Sequence, residues 1–323
     1  MLMLMFSAII YYLLLITYTY IYNILCEILY IIDNAFSKNL YDKIRYFYGC
    51  SYLSILKLLR IKIIYIDESL PPAQHQERVL WISNHRSKLD GLLVQSILCT
   101  RYLDTIAVTK YAIKLFPIFG SFGNHVNAIY VSPSDTEILS RAASYSIEKN
   151  KSILIFPEGT TFSPQSKLSS DKFAEKFNLS KLSNVLIPRT LGFDILRSKG
   201  NFNSIGNITI QYSHPEIPFQ SRHSFLDLFR IFPRKIYIRT QIIKSDVDLM
   251  KVFEEKDLLL NTLPNISDSS TPEPTIHIYL NILMLGIFLY LIFFMKNFFL
   301  LTIIISIIST VTLILGRNFD KKN

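Results

Sequence analysis

The chain has 323 residues, half of them hydrophobic and 18% charged, with a formal net charge of +9. Soluble proteins carry about a quarter charged residues, so this composition argues against a wholly soluble protein and for a globular middle between membrane segments. The basic surplus suits anionic lipid headgroups or a phosphorylated ligand, while the apolar blocks at both ends argue against nucleic acid as a partner.

Residues 1–26 carry no charged side chain, and apolar residues dominate through Ile32. The stretch 1–32 is expected to be an uncleaved membrane anchor, since a span needs about 20 apolar residues. Neither a basic leader nor a small-residue cleavage site precedes Asp33. Lys38, Lys43 and Arg45 follow it, which by the positive-inside rule puts the next domain in the cytosol. Residues 33–72 hold aromatics and aliphatics with Lys57, Arg60 and Lys62. They read either as an amphipathic segment at the membrane interface or as a packed helix of the domain. Pro71-Pro72 marks a break.

From 73 to 263 short β-rich runs alternate with helical stretches, the pattern of an α/β domain with a largely buried sheet. Expected strands are Val79–Ile82, Thr105–Thr109, Ala128–Val131, Ile153–Phe156, Val185–Ile187, Ile208–Tyr212 and Ile236–Ile242. Expected helices are Gly91–Thr100, Asp135–Lys149, Asp171–Phe177 and Asp246–Leu260. Residues 264–276, rich in Pro, Ser, Asp and Thr, read as a linker. The apolar runs within 277–316 read as a membrane hairpin, spanning or re-entrant, followed by a basic tail at 317–323. Cys26, Cys50 and Cys99 show no disulfide or metal-ligand spacing, so neither a metal nor a disulfide framework is expected.

The chemistry concentrates in Ser83-Asn84-His85-Arg86-Ser87-Lys88-Leu89-Asp90, between a buried strand and a helix. His and Asp five apart do not share a helix face, but they meet if His85 lies in the loop and Asp90 in the first helical turn. The carboxylate then holds one imidazole nitrogen and leaves the other free to take a proton. A second cluster, Phe156-Pro157-Glu158-Gly159-Thr160, ends a strand. There Glu158 is expected to hold a substrate hydroxyl or to support the local backbone, and Gly159 to let substrate approach closely.

Asn84-His85-Arg86-Ser87 with Asp90, followed by Phe156-Pro157-Glu158-Gly159-Thr160, resembles the first and third motifs of the glycerolipid acyltransferase family. Val185-Leu186-Ile187-Pro188-Arg189-Thr190-Leu191-Gly192-Phe193 resembles its fourth. Phe116-Pro117-Ile118-Phe119-Gly120, Ile129-Tyr130-Val131 and Phe173-Ala174-Glu175-Lys176 are similar to the lysocardiolipin acyltransferase-like branch, beside the 1-acylglycerol-3-phosphate acyltransferases. The resemblance spans about residues 75–263 and implies a fold of that type.

It also implies acyl transfer from acyl-CoA, as co-substrate rather than cofactor, to a lysophospholipid at a bilayer. The organelle implied is the endoplasmic reticulum, with a mitochondrial or mitochondria-associated membrane as alternative. His85 and Asp90 are then the catalytic pair, and Glu158, Gly159, Thr160, Arg189, Arg86 and Lys110 bind substrate. Two departures stand out. Ser132-Pro133 follow the second-motif strand where the family usually has an Arg, and Thr161 stands where an Arg often follows the third motif. Arg86, Lys110, Lys114 and Arg189 are the candidate replacements at the phosphate. Arg189 leads, because Pro188 fixes its backbone and a guanidinium grips phosphate with two bonds. A CoA-independent transacylase, a first-step glycerol-3-phosphate acyltransferase and a catalytically dead lipid-binding protein remain as alternatives.

Overall fold

The computed structural model describes residue 49, residues 52–54, 56, 57, 61–66, 77–87, 89–100, 105–115, 123, 128–132, 136–213 and 235–262. The expected anchor at 1–32, linker at 264–276, hairpin at 277–316 and tail at 317–323 lie outside the described residues. Among the described residues no helix is long and apolar enough to cross a membrane.

Seven strands, β1 (Lys62–Ile66), β2 (Val79–Ser83), β3 (Thr105–Lys110), β4 (Ile129–Val131), β5 (Ser152–Ile155), β6 (Ser204–Ser213) and β7 (Lys235–Ile243), form one sheet. The order is β1-β7-β6-β2-β5-β3-β4. Every neighbouring pair is parallel except β6 and β7. The helices are α1 (Asp90–Thr100), α2 (Tyr111–Lys114), α3 (Thr136–Glu148), α4 (Pro164–Phe177), α5 (Thr190–Gly200) and α6 (Leu249–Thr262).

The central strand β2 is buried along its whole length, and its side chains alternate between two cores. Val79 and Trp81 face Leu93, Val94, Ile97 and Leu98 of α1, together with Tyr52, Leu53 and Leu56. Leu80 and Ile82 face the opposite core, to which Ala142 and Ala143 of α3, Phe193 and Leu196 of α5, and Val252 and Phe253 of α6 contribute. Burying one such aliphatic or aromatic side chain contributes about 1.5–3 kcal/mol. A side chain at Gly206, beside Trp81 on the neighbouring strand, would collide with the indole. The glycine therefore lets β6 and β2 pair under that ring.

One open alternative is decided and two expectations change. The segment 33–72 was expected to form either an interfacial stretch or a packed part of the domain, and its described residues belong to the packed domain. Tyr52, Leu53 and Leu56 are core residues, and β1 pairs in parallel with β7 from Lys62 to Ile66. Val185–Ile187 is not a strand. Its buried amides go to side chains instead of a ladder: Val185 N–H donates to Asp257, Leu186 N–H to Glu158 and Ile187 N–H to Ser170 Oγ. Finally, α4 begins seven residues before the expected start at Asp171. Ser163 caps it through a reciprocal box with Ser166, and Pro164 occupies the first turn.

Candidate active site

The parallel strands β2, β5, β3, β4 and β6 end at one edge of the sheet, where open α/β folds place their ligands. His85 follows β2, the Pro157–Gly159 turn follows β5, Lys110 ends β3, and Gln211 and Tyr212 lie at the end of β6. Residues distant in sequence thus meet because their strands terminate together.

His85 Nδ1 lies 3.0 Å from Asp90 Oδ2; the imidazole side chain is 20% exposed and Asp90 is fully buried. Asp90 opens α1, and its backbone N–H donates to Ser87 O at 3.1 Å, closing the loop. The same Oδ2 accepts the N–H groups of Arg86 at 2.6 Å and Ser87 at 2.7 Å, while Oδ1 accepts the Tyr212 hydroxyl at 2.5 Å. The imidazole rests on Phe156, with ring centroids 4.6 Å apart. Its backbone is held too: His85 N–H donates to Glu158 Oε1 at 2.8 Å, and Phe162 N–H donates to His85 O at 2.7 Å. Nδ1 is thereby committed to the carboxylate, and Nε2 is the nitrogen left to exchange a proton.

Glu158 is 2% exposed. Its Oε1 takes the His85 amide and its Oε2 takes the Leu186 amide at 3.2 Å. Of the two roles expected for it, support of the local backbone is the one this geometry performs. Burial pushes its pKa up to about 8, opposed by the two backbone donors and the Arg86 charge. Across the core Lys256 of α6 donates to Ile208 O, and burial lowers its pKa to about 7 against the pull of the Glu158 carboxylate.

Gly159 has φ of +65°, the left-handed region in which a side chain is strained, and its N–H closes the turn onto Phe156 O at 2.9 Å. A Cβ there would stand 3.3 Å from Arg189 Nε, so the Arg189 side chain lies across this glycine. Arg189 is exposed, caps α5, and donates its backbone N–H to Pro157 O at 2.9 Å. The loop before α5 is clamped from α6. Asp257 accepts the N–H groups of Ser183, Asn184 and Val185, and Asn184 Nδ2 donates to Asp257 O. Thr160 is half-buried in the same turn, and Lys110 is exposed at the end of β3.

Two candidate phosphate contacts point elsewhere. The Arg86 guanidinium is turned inward, 5% exposed, donating from Nε to Gln211 Oε1 at 3.0 Å and from Nη1 to Asn184 O, and lying 4.7 Å over Phe162. Lys114 is buried, with Nζ over the Tyr111 and Tyr130 rings at 5.6 and 6.0 Å. Asn84 likewise serves the fold: its side-chain amide donates to Ile210 O and accepts from Ile210 N–H, extending the β2–β6 pairing. Sequence reading missed Tyr212, Asp257 and Lys256. Lys256 and Asp257 end the charged run Glu254-Glu255-Lys256-Asp257, which reads as a solvated helix face, and Tyr212 reads as an ordinary strand residue, so no sequence signal marks them.

Residues 63–188 match the family model described as Acyltransferase. The chain is 32% identical over 201 residues to lysocardiolipin acyltransferase 1 of Danio rerio, covering 58% of this chain and 50% of that one. It is 29% identical to the probable 1-acyl-sn-glycerol-3-phosphate acyltransferase 5 of Arabidopsis thaliana, covering 64% and 58%. The chain therefore spans about half the length of the curated relatives it matches. Among solved structures, the 1-acyl-sn-glycerophosphate acyltransferase PlsC of Thermotoga maritima superposes with a TM-score of 0.53 at 13% identity. That match covers 83% of this chain and 98% of PlsC, a likeness of fold. The matched region 63–188 contains His85, Asp90 and Glu158, the residues that the fold brings together.

Proposed function

We propose that this chain is a membrane-bound, acyl-CoA-dependent acyltransferase that esterifies the free hydroxyl of a lysophospholipid, with His85 as general base. The observation that carries this reading is the buried Asp90 carboxylate 3.0 Å from His85 Nδ1, with the imidazole part-exposed at the open edge of the sheet. Nε2 takes the acceptor's hydroxyl proton as that oxygen attacks the thioester carbonyl carbon. The C–S bond then breaks, and the departing thiolate recovers the proton from His85. Asp90 holds the tautomer and stabilises the imidazolium. Ser87 is 1% exposed and its Oγ accepts the Leu89 N–H, which favours direct transfer over a seryl intermediate.

Arg189, exposed across Gly159, is the proposed contact for the acceptor's phosphate, with Lys110 and Thr160 as further proposed contacts. The apolar sequence runs at 1–32 and 277–316 would hold the domain at the bilayer. Basic residues flank both runs on the domain's side, which favours a cytosolic orientation, in the endoplasmic reticulum by preference. The relatives' names cover both lysocardiolipin and 1-acylglycerol-3-phosphate as acceptors, so the anionic lysophospholipid class is proposed rather than one member.

The test is an acceptor panel. Microsomes carrying the protein receive one labelled acyl-CoA with lysophosphatidic acid, lysocardiolipin, lysophosphatidylinositol or a neutral lysolipid. Label in an anionic lysophospholipid is expected; label in none refutes the proposal and leaves a lipid-binding role. Transfer from labelled phospholipid with no CoA present would assign a transacylase instead.

A further inference from the structure

The geometry points to Tyr212 as a positioning residue for the dyad: its hydroxyl fixes the Asp90 carboxylate so that Oδ2, not Oδ1, meets His85 Nδ1. Asp90 is fully buried, and its two oxygens are served unequally. Oδ2 accepts from Arg86 N–H and Ser87 N–H and faces His85 Nδ1, whereas Tyr212 at 2.5 Å is the donor to Oδ1 among the described residues. A buried carboxylate oxygen without a donor carries a full desolvation penalty. Removing the hydroxyl would therefore free the carboxylate to rotate and concentrate its charge on the side facing the imidazole.

Tyr212 belongs to a template. Three successive residues of β6 each hold one residue of the loop: Ile210 pairs with Asn84, Gln211 accepts from Arg86, and Tyr212 donates to Asp90. Gln211 and Tyr212 point to opposite faces of the sheet, as successive strand residues must. Tyr212 lies in the core that contains Tyr52, Leu53 and α1. Other titratable and charged groups around the pair are His85, Tyr52, Glu158 and Arg86, and Ser87 also meets the phenol. Burial and the Asp90 charge hold the phenol protonated, so it serves as a donor throughout the working range.

This role rests on the acyl-transfer reading only for its kinetic consequence, so the test carries a readout that needs no turnover. In Tyr212→Phe the ring stays and the donor goes. A less neutralised Asp90 holds a proton on His85 more tightly, and the imidazole becomes reactive only at higher pH. In membranes carrying the full chain, diethyl pyrocarbonate modification of His85 is followed by peptide mass spectrometry from pH 5 to 9. The half-point is expected to rise by about one pH unit, the scale of one charge-assisted hydrogen bond.

In parallel kcat should fall about tenfold, with both KM values within about twofold of wild type and the thermal midpoint little changed. In an Asp90→Asn background the same substitution should add nothing. An unchanged half-point, or a further kcat loss in the Asp90→Asn background, overturns the positioning role. If wild-type membranes transfer no acyl group yet the half-point still moves, the positioning stands and the acyl-transfer reading falls. If transfer is robust and the half-point stays, the reverse holds.

Discussion

In the loop from Ser83 to Asp90, polar groups that point inward have defined partners. Asn84 is paired with β6, Arg86 with Gln211 and Asn184, and Asp90 with two amides, a phenol and an imidazole. Across the same edge, Arg189 and Lys110 are exposed, held by backbone position but not by side-chain networks of comparable depth. A proton acceptor has to be held about 2.6–3.2 Å from its target, where a misplacement of about 1 Å is costly, so a rigid buried scaffold suits it. A group that meets a lipid phosphate delivered from a bilayer gains from reach. On the proposed reading, reaction type rests on the buried loop and acceptor choice on the exposed basic residues, and substitutions should separate them.

The largest effect is expected from Asp90→Asn, which keeps the side chain's size but removes its charge and the tautomer it enforces. Acyl transfer should fall ~10²–10⁴-fold, the range of general-base catalysis, with KM little changed. A loss under tenfold would show that the buried side of the comparison does not govern chemistry.

Glu158→Gln comes next. One of the His85 and Leu186 amides would then face an NH₂ group, leaving a buried donor unpaired at a cost of about 1–3 kcal/mol. Both the thermal midpoint and kcat should drop. A variant with wild-type stability but a raised acceptor KM would instead return Glu158 to the substrate.

Arg189→Ala should raise the KM for an anionic acceptor about tenfold, with donor KM and thermal midpoint unchanged, a charge-assisted contact being worth roughly 1.5–3 kcal/mol. An unaltered acceptor KM would remove Arg189 from the phosphate site and pass the role to Lys110.

The smallest effect concerns pH. Lys256 has a folded pKa lowered by burial to about 7 from an ordinary 10.5, so the unfolded chain binds the extra proton between these values. That group's contribution makes stability rise from about pH 7 towards 10. Glu158, raised to about 8 from 4.5, acts in the opposite sense, with stability falling between about pH 4.5 and 8. Lys256→Met should flatten the thermal midpoint between pH 8 and 10 relative to wild type. An equal slope in both proteins would mean that Lys256 stays charged when buried.

The division between the two regions also explains what was legible in the sequence. His85, Asp90 and Glu158 stand out because polar residues at fixed spacing interrupt apolar runs, and β2 and β5 follow from runs of β-branched and aliphatic residues. Val185–Ile187 carries the same apolar signal as a buried strand, and periodicity alone cannot separate the two. What decides is Asp257, some seventy residues further along, whose carboxylate takes amides that a ladder would otherwise use. Arg86 was legible as part of the loop but not in its direction, since only the fold shows Gln211 and Asn184 behind it. Helix α5 hid for another reason: its buried positions are few, chiefly Phe193 and Leu196, and its C-terminal turn ends on Asn201 in a left-handed conformation rather than on glycine. Tyr212 looked like one more apolar strand residue until its hydroxyl had a partner.

The central claim is that His85 removes the acceptor's proton, and single-turnover acyl transfer by His85→Ala in membranes tests it most directly. The label from acyl-CoA should reach the lysophospholipid at least about a hundredfold more slowly than with wild type, while membrane content and thermal midpoint stay the same. Transfer by His85→Ala at the wild-type rate would contradict the account.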